Sequence, residues 1–306
     1  MKILIVNYHY FREDVYDNGI YPTNKKNLKK QIDILSKNYD FISQNDLIDI
    51  ISCKSGKFSK NLCMLTFDDG LKEQIEAYDF LYQLGIPSTF YITTKAIKDY
   101  VVLNVHKLHY IRTLISDEEL LVKIFKYFSF DDKSFDLNIL NNQYRYDNII
   151  QRKIKYFLNF ILSPIEKTKF LSELFTDFES NELLFSKNLY MSISELKKLS
   201  QENSIGYHGY SHDPLGTMKS TDREFEIEAS QNFFRVNFKN SVHAGISYPF
   251  GGKSAVSNDL KTLCRKYKLP YGLTMQRGIN NYSDLNNKYF LKRVDTNDAP
   301  GGKYYK

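Results

Sequence analysis

Two adjacent carboxylates form the first stretch of this sequence whose residue types could do chemistry. Asp68 and Asp69 follow the apolar run of residues 62–65, which predicts a buried strand, and Gly70 predicts a turn directly after them. At a strand end the two carboxylates can divide the work, because one can ligate a metal ion while the other accepts a proton. A solvated Asp-Asp-Gly turn is the alternative interpretation of this stretch taken by itself.

A spaced pair of histidines forms the second stretch. His208 and His212 are four residues apart and follow another short predicted strand. Together with Asp69 they make a donor set of one carboxylate and two imidazoles, which suits a divalent metal ion. Gly209 and Pro214 favour a loop here, but spacing alone leaves a helix open, since residues four apart share a helix face.

The composition indicates a globular protein. Of the 306 residues, 42% are hydrophobic and 15% are aromatic, which excludes a disordered chain and allows one large barrel or two modest domains. The net charge of +6 is spread along the sequence, so nucleic-acid binding is not predicted. Cys53, Cys63 and Cys264 are scattered and odd in number, and we expect free thiols in a reducing compartment.

The amino terminus predicts neither export nor membrane insertion. Residues 1–9 contain only a short apolar run and lack the cleavage site of a signal peptide. The sequence shows no stretch of the roughly 20 apolar residues that a membrane span needs. We therefore expect a cytoplasmic protein without a transmembrane segment.

Predicted strands and helices alternate in the first third of the chain. The predicted strands cover residues 2–8, 62–65 and 87–93, and the predicted helices cover residues 24–38, a segment opened by Ser43, and residues 71–84. This alternation is typical of a parallel α/β sheet or barrel. Chemistry in such folds gathers at the carboxyl ends of the strands, where Asp68, Asp69 and His9 all fall.

The alternation stops between about residues 96 and 189. Helices are predicted there over residues 118–128, 149–162 and 166–178. We interpret this block as a helical insertion within a single domain of residues 1–306, serving as a lid or an interaction surface. His106 and His109 near its start are expected to pack rather than to ligate a metal, because no carboxylate accompanies them.

Strands and helices alternate again in the last third. We predict strands over residues 204–207, 243–250, 271–275 and 289–294, and helices over residues 192–200, 220–234 and 256–268.

These segments, in this order, resemble the polysaccharide deacetylase family, also known as the NodB-homology domain, which is one of the carbohydrate esterase families. The two most diagnostic motifs are Thr-Phe-Asp-Asp-Gly at residues 66–70 and His-x-x-x-His within residues 205–212. Tyr-Pro-Phe-Gly at residues 248–251 extends the resemblance. It covers roughly residues 1–95 and 190–298 and leaves the helical insertion outside.

The resemblance implies a distorted (β/α) barrel of about seven strands that binds one divalent metal ion. Carried over by motif, Asp68 would be the general base, and Asp69, His208 and His212 would be the metal ligands. Zn²⁺ is the expected ion, and Co²⁺ or Ni²⁺ would accept the same ligands. Such an ion polarises an amide carbonyl and lowers the pKa of the water that attacks it.

The segment of Tyr248, Pro249, Phe250 and Gly251 is expected to contact the substrate. The developing oxyanion of an acyl transfer needs a hydrogen-bond donor, and a backbone N–H near Phe250 and Gly251 is the candidate.

The chain departs from the family pattern at functional positions. Ser247 stands where the family has an arginine that orients the base, so Arg293, in preference to Arg277, is expected to reach that carboxylate from another strand. There is no Trp, and the late histidine that serves as the usual acid is missing. Asn7-Tyr8-His9 is similar to a permuted arrangement with the acid on an N-terminal strand, which makes His9 the candidate general acid. A hydrogen-bonded histidine at a strand end is the alternative for His9.

The sequence therefore predicts a metal-dependent hydrolase that removes an N-acyl group, expected to be acetyl, from a sugar. The expected substrate is a nucleotide-linked or lipid-linked precursor of a surface polysaccharide. A deformylase and a sugar O-acetyl esterase are alternatives, since the same chemistry attacks any small acyl group. A non-catalytic carbohydrate-binding barrel is the alternative from another class, favoured by the missing Arg and Trp.

Overall fold

The computed structural model describes residues 2–14, 16, 18–52, 60–129, 147–238 and 243–305. The chain divides into two compact units. The first comprises Met1–Asp14, Pro22–Val101 and Ser186–Lys306, and the second comprises Val15–Tyr21 and Val102–Phe185. The first unit contains the described strands, whereas regular structure in the described part of the second is helical.

Seven parallel strands of the first unit close into a barrel, which confirms the predicted fold. In chain order the described strands are β1 Lys2–Tyr8, β2 Tyr39–Phe41, β3 Asn61–Phe67, β4 Ser88–Ile92, β5 Ile205–Tyr207, β6 Ile246–Ser247, β7 Gly272–Arg277, β8 Asn280–Asn281 and β9 Leu291–Asp295. The ring runs β1, β3, β4, β5, β6, β7, β9 and back to β1. Because neighbours in the ring are parallel, their carboxyl ends meet at one end of the barrel, here called the carboxyl rim.

Two short strands that the sequence did not predict complete the wall near the opposite end. β2 pairs with residues 61–63 of β3, while β4 pairs with residues 65–67. β8 pairs antiparallel with residues 2–3 of β1, while β9 pairs with residues 6–7. At both places, therefore, the strand of the seven-stranded ring pairs nearer the carboxyl rim than the added short strand does.

In chain order the described α-helices are α1 Lys25–Leu35, α2 Gln44–Ile51, α3 Gln74–Gln83, α4 Thr94–Asp99, α5 Asn104–Leu114, α6 Asp117–Phe128, α7 Ile149–Tyr156, α8 Pro164–Thr176, α9 Glu182–Leu189, α10 Ile193–Gln201, α11 Ser220–Asn237 and α12 Leu260–Lys266. Ser43 and Ser192 cap the starts of α2 and α10 and form capping boxes there. Gly85, with φ +66°, follows the end of α3.

One apolar cluster fills the interior of the barrel. Ile3 and Ile5 of β1 and Met64 of β3 belong to it. They occupy alternate positions because successive side chains of a strand point to opposite faces. The next positions on the same faces, Asn7 and Thr66, are polar and buried. The barrel is thus apolar in its depth and polar near the carboxyl rim.

The helix predicted from residue 71 begins at Gln74 instead. The preceding residues pair with another part of the chain, because Lys72 N donates to Leu189 O at 2.8 Å and Met191 N donates to Gly70 O at 3.0 Å. This pairing fixes the backbone immediately after the two carboxylates.

The strand predicted over residues 243–250 is reduced to Ile246–Ser247. Pro249 has no N–H to donate to a neighbouring strand. Phe250 has φ +60° and Gly251 has φ +55°, and such left-handed values end an extended strand.

Two later predictions also extend too far. The helix predicted over residues 256–268 covers Leu260–Lys266. The last strand begins at Leu291, because residues 282–290 form two short 3₁₀-helical segments separated by a kink at Asn287.

The second unit contains α5, α6, α7 and α8, and α7 continues into a π-helical turn at Phe157–Ile161. These helices lie within the insertion predicted over about residues 96–189. His106 and His109 lie on α5 with ring centroids 6.1 Å apart.

A buried ion pair ties this helical unit together. Arg112 of α5 donates to both carboxylate oxygens of Asp117 at 2.7 and 3.2 Å. Asn18 accepts from the same guanidinium at 2.8 Å, and Gln151 of α7 donates to Asp117 at 2.9 Å. Burial by itself raises the pKa of Asp117, but Arg112 outweighs it and the pKa is lowered.

The thiols of Cys63 and Cys264 are free and buried, whereas Cys53 lies outside the described residues. Burial raises the pKa of both thiols, which makes them poor nucleophiles. No helix among the described residues has both the length and the apolar character needed to cross a membrane.

Replacing Arg112 with Leu should lower the free energy of unfolding by about 3–5 kcal/mol, because the Asp117 carboxylate would remain buried without its cation. Chemical denaturation of Arg112→Leu measures this loss. Lys123→Leu is the matched control, since Lys123 forms an exposed pair with Glu119 at 3.6 Å that should contribute about 0.3–0.5 kcal/mol. Equal losses in the two variants would contradict the structural role of the buried pair.

Candidate metal centre and general base at the carboxyl rim

The turn after β3 carries both carboxylates. Asp68 N donates to Tyr8 O at 3.0 Å, which extends the pairing of β1 and β3 by one residue. Asp69 then takes φ +82° and Gly70 takes φ +73°, so the chain turns sharply. A Cβ on Gly70 would lie 3.1 Å from the Ile92 side chain, so both the space and the backbone conformation favour glycine.

Asp68 lies in a buried site that keeps it ionised. Arg293 donates to its two carboxylate oxygens at 2.9 and 2.7 Å, and the Ser247 hydroxyl donates to Oδ2 at 3.1 Å. Burial by itself raises the pKa of Asp68, but Arg293, together with the nearby His208 and His9, outweighs it and lowers the pKa to about 2.

Arg293 is fully buried inside the barrel and has partners beyond Asp68. Its guanidinium donates to Asn7 Oδ1 at 2.8 Å and to Thr274 O at 3.2 Å. The sequence favours this residue over Arg277 as the partner of the base, and the contact is present. Arg277 instead forms an ion pair with Asp298 and is partly exposed.

The two histidines face Asp69 across the rim. His208 Nε2 lies 3.3 Å and His212 Nε2 lies 3.2 Å from Asp69 Oδ1. One candidate ligand atom from each residue lies within 4.8 Å of the other two, and all three side chains are buried. The structure thus brings together the three residues that the sequence predicts as metal ligands.

The ring of His208 is oriented by a backbone carbonyl. Its Nδ1 lies 2.7 Å from Ser247 O, and because a carbonyl only accepts, Nδ1 carries a proton and Nε2 is the nitrogen that faces Asp69. Burial lowers the pKa of His208, but Asp68 and Asp69 outweigh this effect and raise it. The carboxylates therefore favour positive charge at this point of the rim.

Three residues of the site have an unusual backbone conformation. Asp69, His212 and Phe250 have positive φ values of +82°, +67° and +60°. A non-glycine residue in this region costs of order 1–3 kcal/mol and persists only where its surroundings fix it. No periodic sequence pattern indicates such residues.

His9 follows β1 and reaches the same rim. Gln74 of α3 joins the loops after β1 and β3, because its amide donates to His9 O at 2.8 Å and to Asp68 O at 2.6 Å. The imidazole of His9 is partly exposed and, when charged, lowers the pKa of Asp68. His9 is therefore close to the candidate base and within reach of solvent.

The segment of residues 248–251 contributes backbone and one ring to the site. The Phe250 ring packs edge-on against His212 at 5.1 Å between centroids. The Tyr248 side chain is buried and donates to Tyr289 O at 3.0 Å. Gly251 N donates to Pro249 O at 2.7 Å. In the described residues, therefore, the Phe250 N–H is the candidate donor of this segment that has no protein acceptor.

The sequence did not predict the roles of Ser247 and Asn7 at the site. Ser247 contacts both Asp68 and His208, and its position directly before Tyr-Pro-Phe-Gly was the only signal available. Asn7 holds the guanidinium of Arg293 and was noted only as a neighbour of His9. Their roles depend on strands that are far apart in sequence.

The donor set fits a divalent metal ion. Two imidazole nitrogens and one carboxylate oxygen are the usual protein ligands of a catalytic zinc site, which leaves further positions open. The site as a whole therefore places a metal-binding cluster beside an ionised, arginine-bound carboxylate at the rim of an α/β barrel. That arrangement is typical of a metal-dependent hydrolase.

Comparison with protein families places the chain more narrowly. The family model for polysaccharide deacetylase matches residues 55–272, which is most of the chain. The chain belongs to the polysaccharide deacetylase family and is a hydrolase of sugar N-acetyl groups. A comparison with curated protein sequences found no match.

Solved structures support the fold. The Streptococcus pyogenes deacetylase PplD in complex with acetate is similar with a TM-score of 0.60 and 14% identity, over 96% of this chain and 92% of that one. IcaB from Ammonifex degensii gives a TM-score of 0.55 and 13% identity, over 96% and 91%. The BpsB deacetylase domain from Bordetella bronchiseptica gives 0.56 and 13%, over 96% and 95%. At such identities the likeness concerns the fold.

Replacing Arg293 with Lys should lower kcat/KM for deacetylation by about 10²-fold, since a misplaced catalytic group can cost that much. Lysine presents a point charge and cannot hold both oxygens of Asp68 as the guanidinium does. Steady-state acetate release from an N-acetylated sugar measures the effect.

Arg277→Lys is the matched control, because Arg277 pairs with Asp298 and not with the candidate base. A similar loss in both variants would show that Arg293 does not act specifically on Asp68.

Proposed function

We propose that this protein is a divalent-metal-dependent N-deacetylase that acts on a sugar or polysaccharide precursor in surface polysaccharide biosynthesis. The observation that carries the proposal is that two carboxylates adjacent in sequence have different partners. Asp69 faces two imidazole nitrogens at 3.2 and 3.3 Å, while its neighbour Asp68 is bound by a guanidinium.

Asp69, His208 and His212 would hold the metal ion, with Zn²⁺ expected and Co²⁺ or Ni²⁺ as alternatives. When bound there, such an ion would polarise the acyl carbonyl and make water a stronger acid. The orientation of His208 by Ser247 O supports its role as a ligand, because the proton is held on the nitrogen that faces away from Asp69.

Asp68 would act as the general base. A base must be ionised, and the pKa of about 2 keeps Asp68 ionised at neutral pH. Arg293 and Ser247 fix the carboxylate in one orientation, so that it can accept a proton from the attacking water.

His9 would donate a proton to the departing amine, because an imidazole suits this task near neutral pH. The backbone N–H of Phe250 would donate to the developing oxyanion. Both groups lie in loops at the carboxyl rim, where β1 and β6 end, on the same side of the barrel as Asp68.

The experiment is to incubate the protein with N-acetylated nucleotide sugars, lipid-linked sugars and oligosaccharides and to follow the loss of one acetyl group by mass spectrometry. N-formylated and O-acetylated sugars form the other arms. We expect N-acetyl loss that stops after chelation and returns with Zn²⁺. Turnover that survives complete metal removal, or removal of a different acyl group only, would overturn the proposal.

The two carboxylates should respond differently to substitution. Asp68→Asn should keep the fold and the metal, because its amide oxygen can still accept from Arg293, but it should lower turnover by about 10²–10⁴-fold, because the carboxylate that accepts the proton is gone. Asp69→Ala should lose metal affinity as well. Isothermal titration with Zn²⁺ beside single-turnover kinetics measures both effects, and equal metal loss in the two variants would contradict this division of roles.

His9→Ala should slow the chemical step by about 10²–10⁴-fold with the metal retained. The informative comparison is single-turnover deacylation of an amide substrate beside one whose leaving group needs little protonation. Only the first should slow. If both substrates slow equally, or neither slows, His9 is not the general acid.

A further inference from the structure

The loop of residues 208–212 carries two of the proposed metal ligands and has no regular secondary structure. Gly209 has φ +73° and His212 has φ +67°, so the loop needs contacts from outside to keep this shape. Its carbonyls have donors at the start of α4, where Thr94 N donates to Gly209 O at 3.3 Å and Lys95 N donates to Tyr210 O at 3.0 Å.

The N–H groups of the same loop converge on one buried side chain, Glu226 of α11. Its Oε2 accepts from Tyr210 N at 2.7 Å and from Ser211 N at 2.9 Å, and its Oε1 lies 3.3 Å from Ser211 N. Glu226 is only 4% exposed. A buried carboxylate with these partners exchanges its contacts with water for two charge-assisted hydrogen bonds.

The sequence of the loop fits this contact. A Cβ on Gly209 would lie 3.1 Å from Glu226 Oε2, which is tight for a neighbour that cannot move without losing both N–H groups. The glycine therefore leaves room for the carboxylate to reach the loop, in addition to adopting the positive φ.

We propose that Glu226 is a positioning residue that sets the separation of His208 and His212 before a metal ion binds. It acts through the backbone that joins the two imidazoles, because its carboxylate accepts from Tyr210 N and Ser211 N. The proposal rests on the metal-dependent function proposed above. It means that metal affinity depends on a residue of α11 in addition to the three ligands.

The test separates the reach of the side chain from its charge. Glu226→Asp keeps the charge and shortens the side chain by one methylene, whereas Glu226→Gln keeps the length and one oxygen that can accept from both N–H groups. Ile227→Val is the matched control, because it also removes one methylene from a buried side chain of α11. Binding of Co²⁺ to the metal-free full chain is followed by its visible absorption, and the melting temperature is measured without metal.

Glu226→Asp should weaken Co²⁺ binding by about 10–100-fold, which is the range for groups that orient metal ligands. Glu226→Gln should retain most of the wild-type affinity for Co²⁺, and Ile227→Val should bind the ion as the wild type does. The absorption spectrum of the Glu226→Asp complex should also change, because the visible absorption of Co²⁺ depends on the geometry of its ligands, which include the two histidines.

Two results would overturn the proposal. Wild-type affinity and spectrum in Glu226→Asp would show that the loop keeps its shape without this contact. Equal weakening in Glu226→Asp and Ile227→Val, in step with their melting temperatures, would show only a general effect on stability. If the wild type itself fails to bind Co²⁺, the metal-dependent function is wrong as well. If the wild type binds Co²⁺ but the variants give either result above, only the positioning role of Glu226 is wrong.

Discussion

The ion pair of Asp68 and Arg293 inside the barrel is the interaction on which the rest of the site depends. Both side chains are buried, and the removal of two charges from water is compensated only when the remaining donors and acceptors also have partners. Asn7, Ser247 and Thr274 provide those partners from β1, β6 and β7. Because the partners of the ion pair lie on several strands, those strands must come together at the carboxyl rim.

The same pair explains the division of the barrel interior. The apolar cluster that includes Ile5, Met64 and Leu273 lies farther from the carboxyl rim than the pair. Asn7 and Thr66 occupy the next positions toward the rim on the faces of Ile5 and Met64. Hydrophobic burial stabilises the depth of the barrel, while hydrogen bonds to charged groups determine the arrangement near the rim. Apolar substitution of the rim residues would remove partners from charges that are already buried, which is costly.

Strained backbone at Asp69 and His212 is maintained by contacts from elsewhere in the first unit. The pairing of residues 70–72 with residues 189–191 fixes the turn after Asp69, and Glu226 with the start of α4 fixes the loop before His212. The energy stored in these positive φ values is offset by hydrogen bonds that are remote in sequence. Pre-organisation of this kind reduces what a bound ion would have to reorder.

The sequence by itself determined the class of fold and the residues that could ligate a metal ion. Short runs rich in apolar residues located β1, β3 and β4 within a few residues, because a strand buried on both faces has few polar side chains. The motifs around Asp68 and His208 identified the candidate base and ligands, since adjacent carboxylates and spaced imidazoles are local features. The bounds of β6 and α3 were wrong where positive φ values or pairing with residues 189–191 overrode the local pattern.

Only the tertiary structure decided which distant groups meet at the rim. The pairing of Arg293 with Asp68, the two contacts of Ser247 and the contact of Glu226 with the histidine loop all depend on the closure of the strands around the barrel. Closure is a property of the whole ring, because each strand is placed by both of its neighbours. A local pattern can therefore indicate that a residue is charged or buried, but the partner that makes its burial tolerable is set by the fold.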